Sequence, residues 1–315
     1  MKAVFQCIIG LFLSLFLAAQ DDSADVEAVR RMVTLSDVVV RSDLNVPMFL
    51  QRIKTDTTFY KAFRNLRILG FTAMNDIRML NKQGAIQASL QSKTRQLLNN
   101  GCRTMEVLEE TTTGDIKKGK EFTYYTAQLY AGLFFTQGKI CGETNAVTGV
   151  TRSLKGKRGV EKAKEQLKML FFNPGKKIPG IPFIGDKLDI FDERLAPYYD
   201  FNIDLTDLNG QVCYLFSIKR RANLSKVEKS AIVFDDITTW FDTKNLAIVA
   251  RNYDLSYNTG VYDFDVHMEV VMTTFEGLLV PQVLRYKGNW DVAFKKRERG
   301  VFTATLFDFN RSTNH

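Results

Sequence analysis

The chain has 315 residues, of which 45% are hydrophobic, and its 43 basic and 35 acidic side chains give a formal net charge of +8. This length and apolar content suit one large β domain or two ordinary domains with a buried core. The sequence has only two histidines, His267 and His315. This small number excludes most histidine-based nucleophiles and zinc sites, because such sites need several well-placed partners.

The amino-terminal segment has the pattern of an export signal. Met1 and Lys2 precede an uncharged, mostly apolar run from Ala3 to Ala19 that ends in small residues. We expect signal peptidase to cut after Ala19, which would give an exported protein. The alternative is a membrane anchor, because the run approaches the roughly 20 residues that span a bilayer.

Three cysteines follow the signal, namely Cys102, Cys141 and Cys213. They are too far apart for a Cys-x-x-Cys metal or redox motif, and three thiols allow at most one disulfide. Whether two of them pair stays open from the sequence. An odd count leaves one cysteine as a free thiol or an intermolecular link, but a buried cysteine that acts as a small apolar residue is the preferred interpretation.

The residues after the signal carry strand and helix signals in turn. Met32–Val40 ends in three valines and predicts a short strand. Pro47 suits the first turn of a helix, and Asp56, Thr57 and Thr58 can cap a second helix. A helix pair lying across a sheet would bury an apolar stripe at helical spacing. The stripe consists of Phe49, Leu50, Ile53, Phe59, Tyr60, Phe63, Leu66 and Ile68.

Between residues 70 and 135 the pattern becomes largely extended. Strands are predicted at 71–80, 85–98 and 102–108, because turn residues separate them at the spacing of an antiparallel meander. Tyr124–Phe135 is apolar on every side, so its pattern fits a buried helix or a buried strand, and we favour the helix.

A lysine-rich stretch at 151–170 has apolar residues every 3.6 positions and stops at Asn173-Pro174-Gly175. This predicts an amphipathic helix with a basic outer face. The next segment, Ile178–Gly185, is apolar but rich in proline and glycine, so it must dock as an irregular loop. Helical residues are predicted from there to about Tyr198.

The clearest pattern is the alternation of apolar and polar residues over Val261–Thr274, which predicts a strand with one buried face. Glu276-Gly277 and Gly288-Asn289 predict hairpin turns. About six consecutive strands joined by tight turns must form an antiparallel sheet. The other strands of this set are predicted at 211–219, 230–242, 246–257, 278–287, 290–296 and 301–309.

These elements predict an α+β fold, with a large, mostly antiparallel curved sheet or half-barrel and a few helices packed on it. The expected organisation is a signal peptide at 1–19 and an amino-terminal lead with a short strand at 20–45. One α+β domain then follows at 46–315, with a helical insertion at about 151–198.

Motifs of the common enzyme classes are missing from the sequence. It lacks Gly-x-Ser-x-Gly, His-Glu-x-x-His and Gly-x-Gly-x-x-Gly, and the phosphate-loop-like Gly114–Lys120 has Glu121 where Ser or Thr is required. Asp235-Asp236, or Asp263 with Asp265, could act as paired carboxylates on a glycan, but acids on a strand are far more often solvated. We therefore expect no enzyme activity, no cofactor and no metal.

Several short sequences carry a family resemblance: Tyr199-Asp200-Phe201, Val212–Lys219, Trp240–Thr243, Ile248–Arg251 and Val280-Pro281, together with Leu35–Val40 and Tyr60–Arg67. They resemble uncharacterised exported envelope proteins of Gram-negative bacteria. The carboxy-terminal sheet also resembles the periplasmic lipoprotein carriers of the Lol system, whose half-barrel holds acyl chains under a lid of helices. The resemblance implies a location in the periplasm or at the periplasmic face of the outer membrane.

The leading hypothesis is a non-enzymatic envelope protein that binds a lipid or a lipoprotein acyl chain on a concave sheet face. Phe183 lies in the apolar loop, which would dock either as a lid or plug over that face or at the outer edge of the core. A closed core would use the same aromatic and methionine side chains, and it remains the competing interpretation. The candidate lining residues on the sheet are Tyr262, Phe264, Met268, Met272, Trp290 and Phe294.

Two alternatives belong to other classes of protein. An envelope interaction or assembly protein would contact an acidic partner or anionic head groups through its basic helix, although a solvated face is equally compatible. Export argues against nucleic acid as the partner. A hydrolase is the remote third alternative. The basic contact residues would be Lys155, Lys157, Arg158, Lys162, Lys164 and Lys168.

Overall fold

The computed structural model describes residues 26–40, 44–147, 169–178, 184–258, 262–292 and 296–311, without the side chains of Tyr262 and Val292. The predicted signal peptide and nearly all of the predicted basic helix lie outside these residues. No helix within the described ranges is both long enough and apolar enough to cross a membrane.

Strands make up most of the described chain. They are β1 (Val33–Leu35), β2 (Gly70–Leu80), β3 (Ile86–Asn99), β4 (Cys102–Thr113), β5 (Lys117–Lys118), β6 (Glu121–Phe122), β7 (Ile140–Cys141), β8 (Tyr199–Leu208), β9 (Gln211–Arg220), β10 (Phe234–Asp242), β11 (Ile248–Asn258), β12 (Tyr262–Phe275), β13 (Leu278–Val292) and β14 (Glu298–Asn310). Twelve of these form one sheet, while β5 and β6 pair separately.

The sheet has the order β1-β8-β9-β10-β11-β12-β13-β14-β2-β3-β4-β7 and is open, with β1 and β7 at its edges. Its pairings are antiparallel except for the parallel pair β1 and β8. The last strand, β14, runs beside β2 from Arg299 to Phe307, so it joins the amino-terminal meander to the carboxy-terminal strands.

The helices are α1 (Asp37–Val40), α2 (Val46–Thr55), α3 (Thr58–Asn65), α4 (Tyr125–Phe134) and α5 (Lys226–Ser230). Residues 26–32 and 169–172 are also helical. Pro47 lies in the first turn of α2, as expected, and the Asn45 side chain caps this helix by accepting a hydrogen bond from the Met48 amide at 3.1 Å. At the start of α3, Asp56 accepts a hydrogen bond from the Thr58 amide at 3.1 Å, whereas the Thr57 side chain makes no capping hydrogen bond.

One face of the sheet, here called the inner face, packs against α2, α3 and α4. Along β12, Phe264, Val266, Met268, Val270 and Met272 are buried on this face, as the alternation predicted. The helix stripe is buried against it from Phe49 to Phe63, while Leu66 and Ile68 are only half-buried. The expected α+β fold with a large, mostly antiparallel sheet is therefore confirmed.

The predicted strand at Met32–Val40 is wrong in its second half. Pairing with β8 stops after Ser36, whose amide donates to the Ile203 carbonyl at 3.0 Å. The Val40 amide then donates to the Ser36 carbonyl at 3.0 Å and closes a helical turn. Val39 is buried by this turn while Val38 and Val40 are exposed, so tertiary packing overrides the β preference of valine.

The predicted turn at Gly288-Asn289 is also wrong, because both residues lie inside the continuous strand β13. Gly288 pairs with Val266 on one side and with Gly300 on the other, and these two ladders outweigh the turn preference of the dipeptide. The predicted turn at Glu276-Gly277 is present, and both of its residues have positive φ.

Two other regions differ from expectation. The capping box between Ser225 and Glu228 forms α5, which delays the predicted 230–242 strand to Phe234. The predicted helix before Tyr198 is reduced to the 3₁₀ turns Gly185–Lys187 and Ala196–Tyr198. At the ends of the apolar loop, Ile178 and Ile184 are buried in the core, whereas 179–183 lie outside the described residues.

Candidate functional site

A cavity of about 390 Å³ lies between the inner face and the helices α3 and α4. This volume falls in the range of roughly 300–1,000 Å³ that is typical of small-molecule sites. One end of the cavity is polar and the other is apolar. The apolar end is formed by Phe63, Phe71, Leu133, Phe134, Phe172 and Leu306.

A second, smaller cavity of about 40 Å³ adjoins the first, since Leu133, Phe134 and Phe172 line both. It extends the apolar surface toward β13 and β14. Its remaining walls are mostly aromatic and aliphatic side chains: Leu129, Tyr130, Phe171, Met268, Leu284, Tyr286, Trp290 and Phe302.

Phe171 and Phe172 form the wall where the two cavities meet. The Phe172 ring stacks on Phe63, with centroids 3.9 Å apart and planes 16° apart. The Phe171 ring makes T-shaped contacts with Tyr286 and Trp290, at centroid distances of 5.9 and 6.3 Å. Aromatic contacts of this kind contribute stabilising free energy beyond that of the apolar area they bury, so this wall is well packed in the described state.

Helix α4 covers both cavities and is held at its amino terminus by β14. The Glu298 carboxylate accepts hydrogen bonds from the Tyr125 amide at 2.9 Å and from the Thr126 amide at 2.7 Å. A carboxylate at this position also complements the positive end of the helix dipole. On the side facing the sheet, the Tyr130 ring lies 4.7 Å from that of Phe302.

The polar end of the larger cavity contains three guanidinium groups and one carboxylate, those of Arg64, Arg67, Arg103 and Glu143. Glu143 forms ion pairs with Arg67 at 3.4 Å and with Arg103 at a shorter distance. Because arginine stays charged in proteins, three positive groups and one negative group leave a net charge of +2 among these lining side chains.

Arg103 is fixed by neutral partners as well as by Glu143. Its guanidinium donates to the Gln96 side-chain oxygen at 3.2 Å and to the Thr136 hydroxyl. The Gln96 amide group in turn donates to the carbonyls of Leu66 and Leu69, each at 2.7 Å. This network ties β3 and β4 to the turn after α3, so the Arg103 side chain, 17% exposed, has little freedom to move.

Arg64 is held differently. One terminal nitrogen donates to the Thr144 carbonyl at 3.4 Å, and the guanidinium lies 6.0 Å from the centre of the Tyr60 ring. Its Nε atom is buried and has no hydrogen-bond partner. An unsatisfied buried donor costs about 1–3 kcal/mol, so the Arg64 side chain is held with one of its donors unpaired.

A disulfide between Cys102 and Cys141 fixes the polar end from outside. It joins β4 to the edge strand β7, where Cys102 is paired with Cys141 and Arg103 with Ile140. Arg103 follows one of the bridged cysteines, and Glu143 comes two residues after the other. The sequence left this pairing open. Cys213 is a buried free thiol.

The predicted lining residues occupy two kinds of position. Met268 and Trp290 line the smaller cavity. Phe264 is buried beside it, with its ring 4.8 Å from that of Trp290. Met272 is buried in the main core, opposite Pro281. The inner face of β12 therefore serves both as core and as cavity wall.

Several other predicted site residues lie outside what the structure describes. Tyr262 begins β12, but its side chain is not among the described groups, and neither Phe183 nor Phe294 is described. The same is true of the predicted basic contact surface, Lys155, Lys157, Arg158, Lys162, Lys164 and Lys168.

The residues at the polar end were not identified from the sequence. Arg64 and Arg67 stand three positions apart next to the apolar stripe of α3, which is the signal that could have indicated them. Arginines beside such a stripe are usually solvated, so this spacing was not distinctive. The contribution of α4 and Phe172 depends on long-range packing that no local pattern encodes.

Two of the candidate catalytic acids, Asp235 and Asp263, form ion pairs on the sheet. Asp263 pairs with Arg297, which also contacts Asp291 at 3.2 Å. Asp235 pairs with Arg220, although burial raises the pKa of its carboxyl group.

His267 lies between two acids, with its ring nitrogens 2.6 Å from Asp254 and 3.2 Å from Glu269. Burial acts to lower the pKa of His267, but the hydrogen bonds to these carboxylates outweigh it and the pKa is raised. Among the described residues, no group of three or more histidine, cysteine, aspartate or glutamate side chains is arranged to hold a metal ion.

No family model and no curated protein matches the chain. Among solved structures, it is similar to a DUF1329 family protein from Desulfovibrio piger, with 8% identity, a TM-score of 0.26, and coverage of 83% of this chain and 95% of that one. It is also similar to a putative outer membrane lipoprotein-sorting protein domain from Vibrio parahaemolyticus, with 9% identity, a TM-score of 0.27, and coverage of 80% and 90%. At these TM-scores the similarities carry no argument about function.

Proposed function

We propose that this protein is an exported, non-enzymatic envelope protein that binds the acyl chain of a lipid or lipoprotein between α4 and the inner face. The observation that carries the proposal is the pair of adjoining cavities that share Leu133, Phe134 and Phe172. Together they form an apolar surface that runs from the polar end near α3 to Trp290 on β13.

An acyl chain matches this surface because it has no hydrogen-bonding groups to satisfy. Each methylene that leaves water contributes about 0.8 kcal/mol, so even a chain that is partly inserted gains several kcal/mol. Met268 and the aromatic rings around it offer adaptable contact area to a flexible ligand. In the described state the smaller cavity holds about 40 Å³, so a long chain needs α4 or the Phe171–Phe172 wall to shift.

Native mass spectrometry of the purified protein, before and after delipidation, tests the proposal directly. We expect the untreated sample to contain a mass that delipidation removes. A fluorescent fatty-acid probe should then bind the delipidated protein and be displaced by the extracted lipid. Identical masses together with a probe that does not bind would contradict the proposal.

Filling the cavity provides a structural control. Ala304 lines the larger cavity from β14, so Ala304→Met should occupy part of its volume, weaken probe binding, and leave the free energy of unfolding nearly unchanged. Ala88 is fully buried and lines neither cavity. Ala88→Met should instead overpack the core and cost about 1–3 kcal/mol of stability. Equal probe affinity in Ala304→Met and the unmodified protein would place the probe elsewhere.

A further inference from the structure

We infer that the polar end of the larger cavity binds an oxyanion, a carboxylate or a phosphate, carried at the head of the acyl chain, with Arg64 as its principal anchor. This inference rests on the proposed function, since it specifies which acyl-chain ligands the cavity accepts. It predicts selectivity for anionic single-chain lipids over neutral and cationic ones of equal length.

The charge balance of the cavity supports an anionic ligand. Arg64, Arg67, Arg103 and Glu143 are the charged side chains that line it, and their sum is +2. A half-buried pair of uncompensated positive charges favours an anion and disfavours a cation, because solvent screens such charges poorly. Arg67 is 24% exposed and Glu143 is 22% exposed at the side chain, so both are largely withdrawn from water.

The ion pairs of Glu143 indicate which arginine is available. Glu143 contacts Arg67 and Arg103, and Arg103 is further satisfied by Gln96 and Thr136. Within the described residues, Arg64 makes no ion pair with a carboxylate. It contacts a carbonyl and an aromatic ring, and both leave the positive charge uncompensated.

The hydrogen-bonding geometry of Arg64 supports the same assignment. Its buried Nε lacks an acceptor, whereas one terminal nitrogen already donates to Thr144. Because Nε is buried, a ligand in the cavity would contact the terminal nitrogens, and these two groups can bind two oxygens of a carboxylate or phosphate in a bidentate arrangement. An oxyanion there would neutralise part of the uncompensated positive charge.

The surroundings of Arg64 define where the rest of the ligand goes. Phe63 precedes Arg64 on α3 and stacks on Phe172, which lines both cavities. A head group at Arg64 therefore directs its chain along the apolar wall toward Trp290. Carboxylate and phosphate have the same recognition chemistry here, so the experiment must separate a lipid head group from a free anion.

The test measures binding of four probes of matched length, dodecanoate, dodecyl phosphate, dodecanol and dodecyltrimethylammonium, each below its micelle concentration, plus inorganic phosphate. We expect dodecanoate and dodecyl phosphate to bind at least about 10-fold more tightly than dodecanol. Dodecyltrimethylammonium should bind most weakly of the four. Inorganic phosphate should compete weakly with dodecyl phosphate, because it lacks the chain. Competition by phosphate at equal concentration would identify a free-anion site and overturn the lipid assignment.

Arg64→Met keeps an unbranched apolar side chain and removes the charge. It should reduce binding of both anionic lipids about 10-fold or more and leave dodecanol binding unchanged. Glu143→Gln should tighten anion binding, because the lining charge rises from +2 to +3. Arg194→Met is the matched control, since Arg194 is exposed, pairs with Asp192 and does not line the cavity.

The outcomes separate the two proposals. If dodecanol binds as tightly as dodecanoate, and Arg64→Met changes neither, the head-group inference fails while the acyl-chain function stands. If no probe binds, the proposed function fails as well. Circular dichroism and a dodecanol titration test whether the Arg64→Met variant is folded. Loss of anion binding in a folded variant supports the inference.

Discussion

The ring of Tyr286 lies directly over Gly288 on β13, so that a Cβ at position 288 would overlap the hydroxyl and ring carbons of Tyr286. The same ring stacks on Phe302, with centroids 4.9 Å apart, and the Tyr286 hydroxyl accepts a hydrogen bond from the Trp290 indole. Gly288 therefore makes room for a side chain that lines the smaller cavity.

Gly288→Ala should displace the Tyr286 ring and cost about 1–3 kcal/mol of stability. In a Tyr286→Ala background the same change should cost much less, because the overlap is gone. Urea unfolding of the two single variants and the double variant measures this coupling. Additive losses would mean that the ring moves aside without penalty.

Glu298→Ala should loosen the amino terminus of α4, because Glu298 accepts from the Tyr125 and Thr126 amides. Losing a helix cap of this kind costs about 0.5–2 kcal/mol. Hydrogen exchange should accelerate in α4 and stay slow in β14. Glu298→Gln keeps an acceptor and loses the charge, so its exchange rate in α4 should fall between those of the unmodified protein and Glu298→Ala. Uniform acceleration across the sheet would indicate global destabilisation instead.

Reduction of the Cys102–Cys141 disulfide should destabilise the protein by up to about 4 kcal/mol, since the bridge closes a loop with a sequence separation of 39. Thermal unfolding with and without a reductant measures the loss. The Cys213→Ala variant should keep this response, and Cys102→Ser combined with Cys141→Ser should remove it. A response that follows Cys213 would contradict the assignment.

Stability should rise with pH between about 8 and 10.5 because of Lys176. Burial lowers the pKa of Lys176 to about 8 from 10.5, with the nearby charge of Arg251 acting in the same direction. In this window the unfolded chain holds the proton more tightly than the folded chain, so deprotonation favours folding.

Urea unfolding at several pH values from about 7.5 to 9.5, below the ordinary pKa of tyrosine, isolates this effect. Lys176→Met should flatten the slope of unfolding free energy against pH. The adjacent Lys177 is exposed and its pKa is raised by Asp186, so Lys177→Met should leave the slope in place. An equal slope in Lys176→Met would refute the assignment.

How well the sequence predicted each part depended on the range of the interactions involved. The alternation along β12 reports burial of one face, so it is sufficient by itself to place Phe264 and Met268 on the inner face. Gly288 has the local pattern of a turn residue, but the reason for a glycine there is the Tyr286 ring and two flanking strands. A local turn signal cannot distinguish these causes.

The candidate site was harder to predict for the same reason. Met268 and Trp290 were identifiable as inward-facing residues, but the cavity they line is completed by α4 and Phe172. Arg64 and Glu143 come together from positions almost 80 residues apart, and the disulfide that fixes Glu143 had three possible pairings. A site assembled from such distant residues can be recognised only once the tertiary structure is known.

The pairing of β14 with β2 has a consequence for how the molecule folds. Until residues 299–307 are synthesised, β2 has a partner on one side, β3, and an unpaired edge on the other. An exposed strand edge promotes intermolecular pairing, and contacts this distant in sequence form slowly. A newly made chain is therefore vulnerable to aggregation at β2 until β14 has been synthesised, and premature termination within β14 would leave that edge of the meander uncovered.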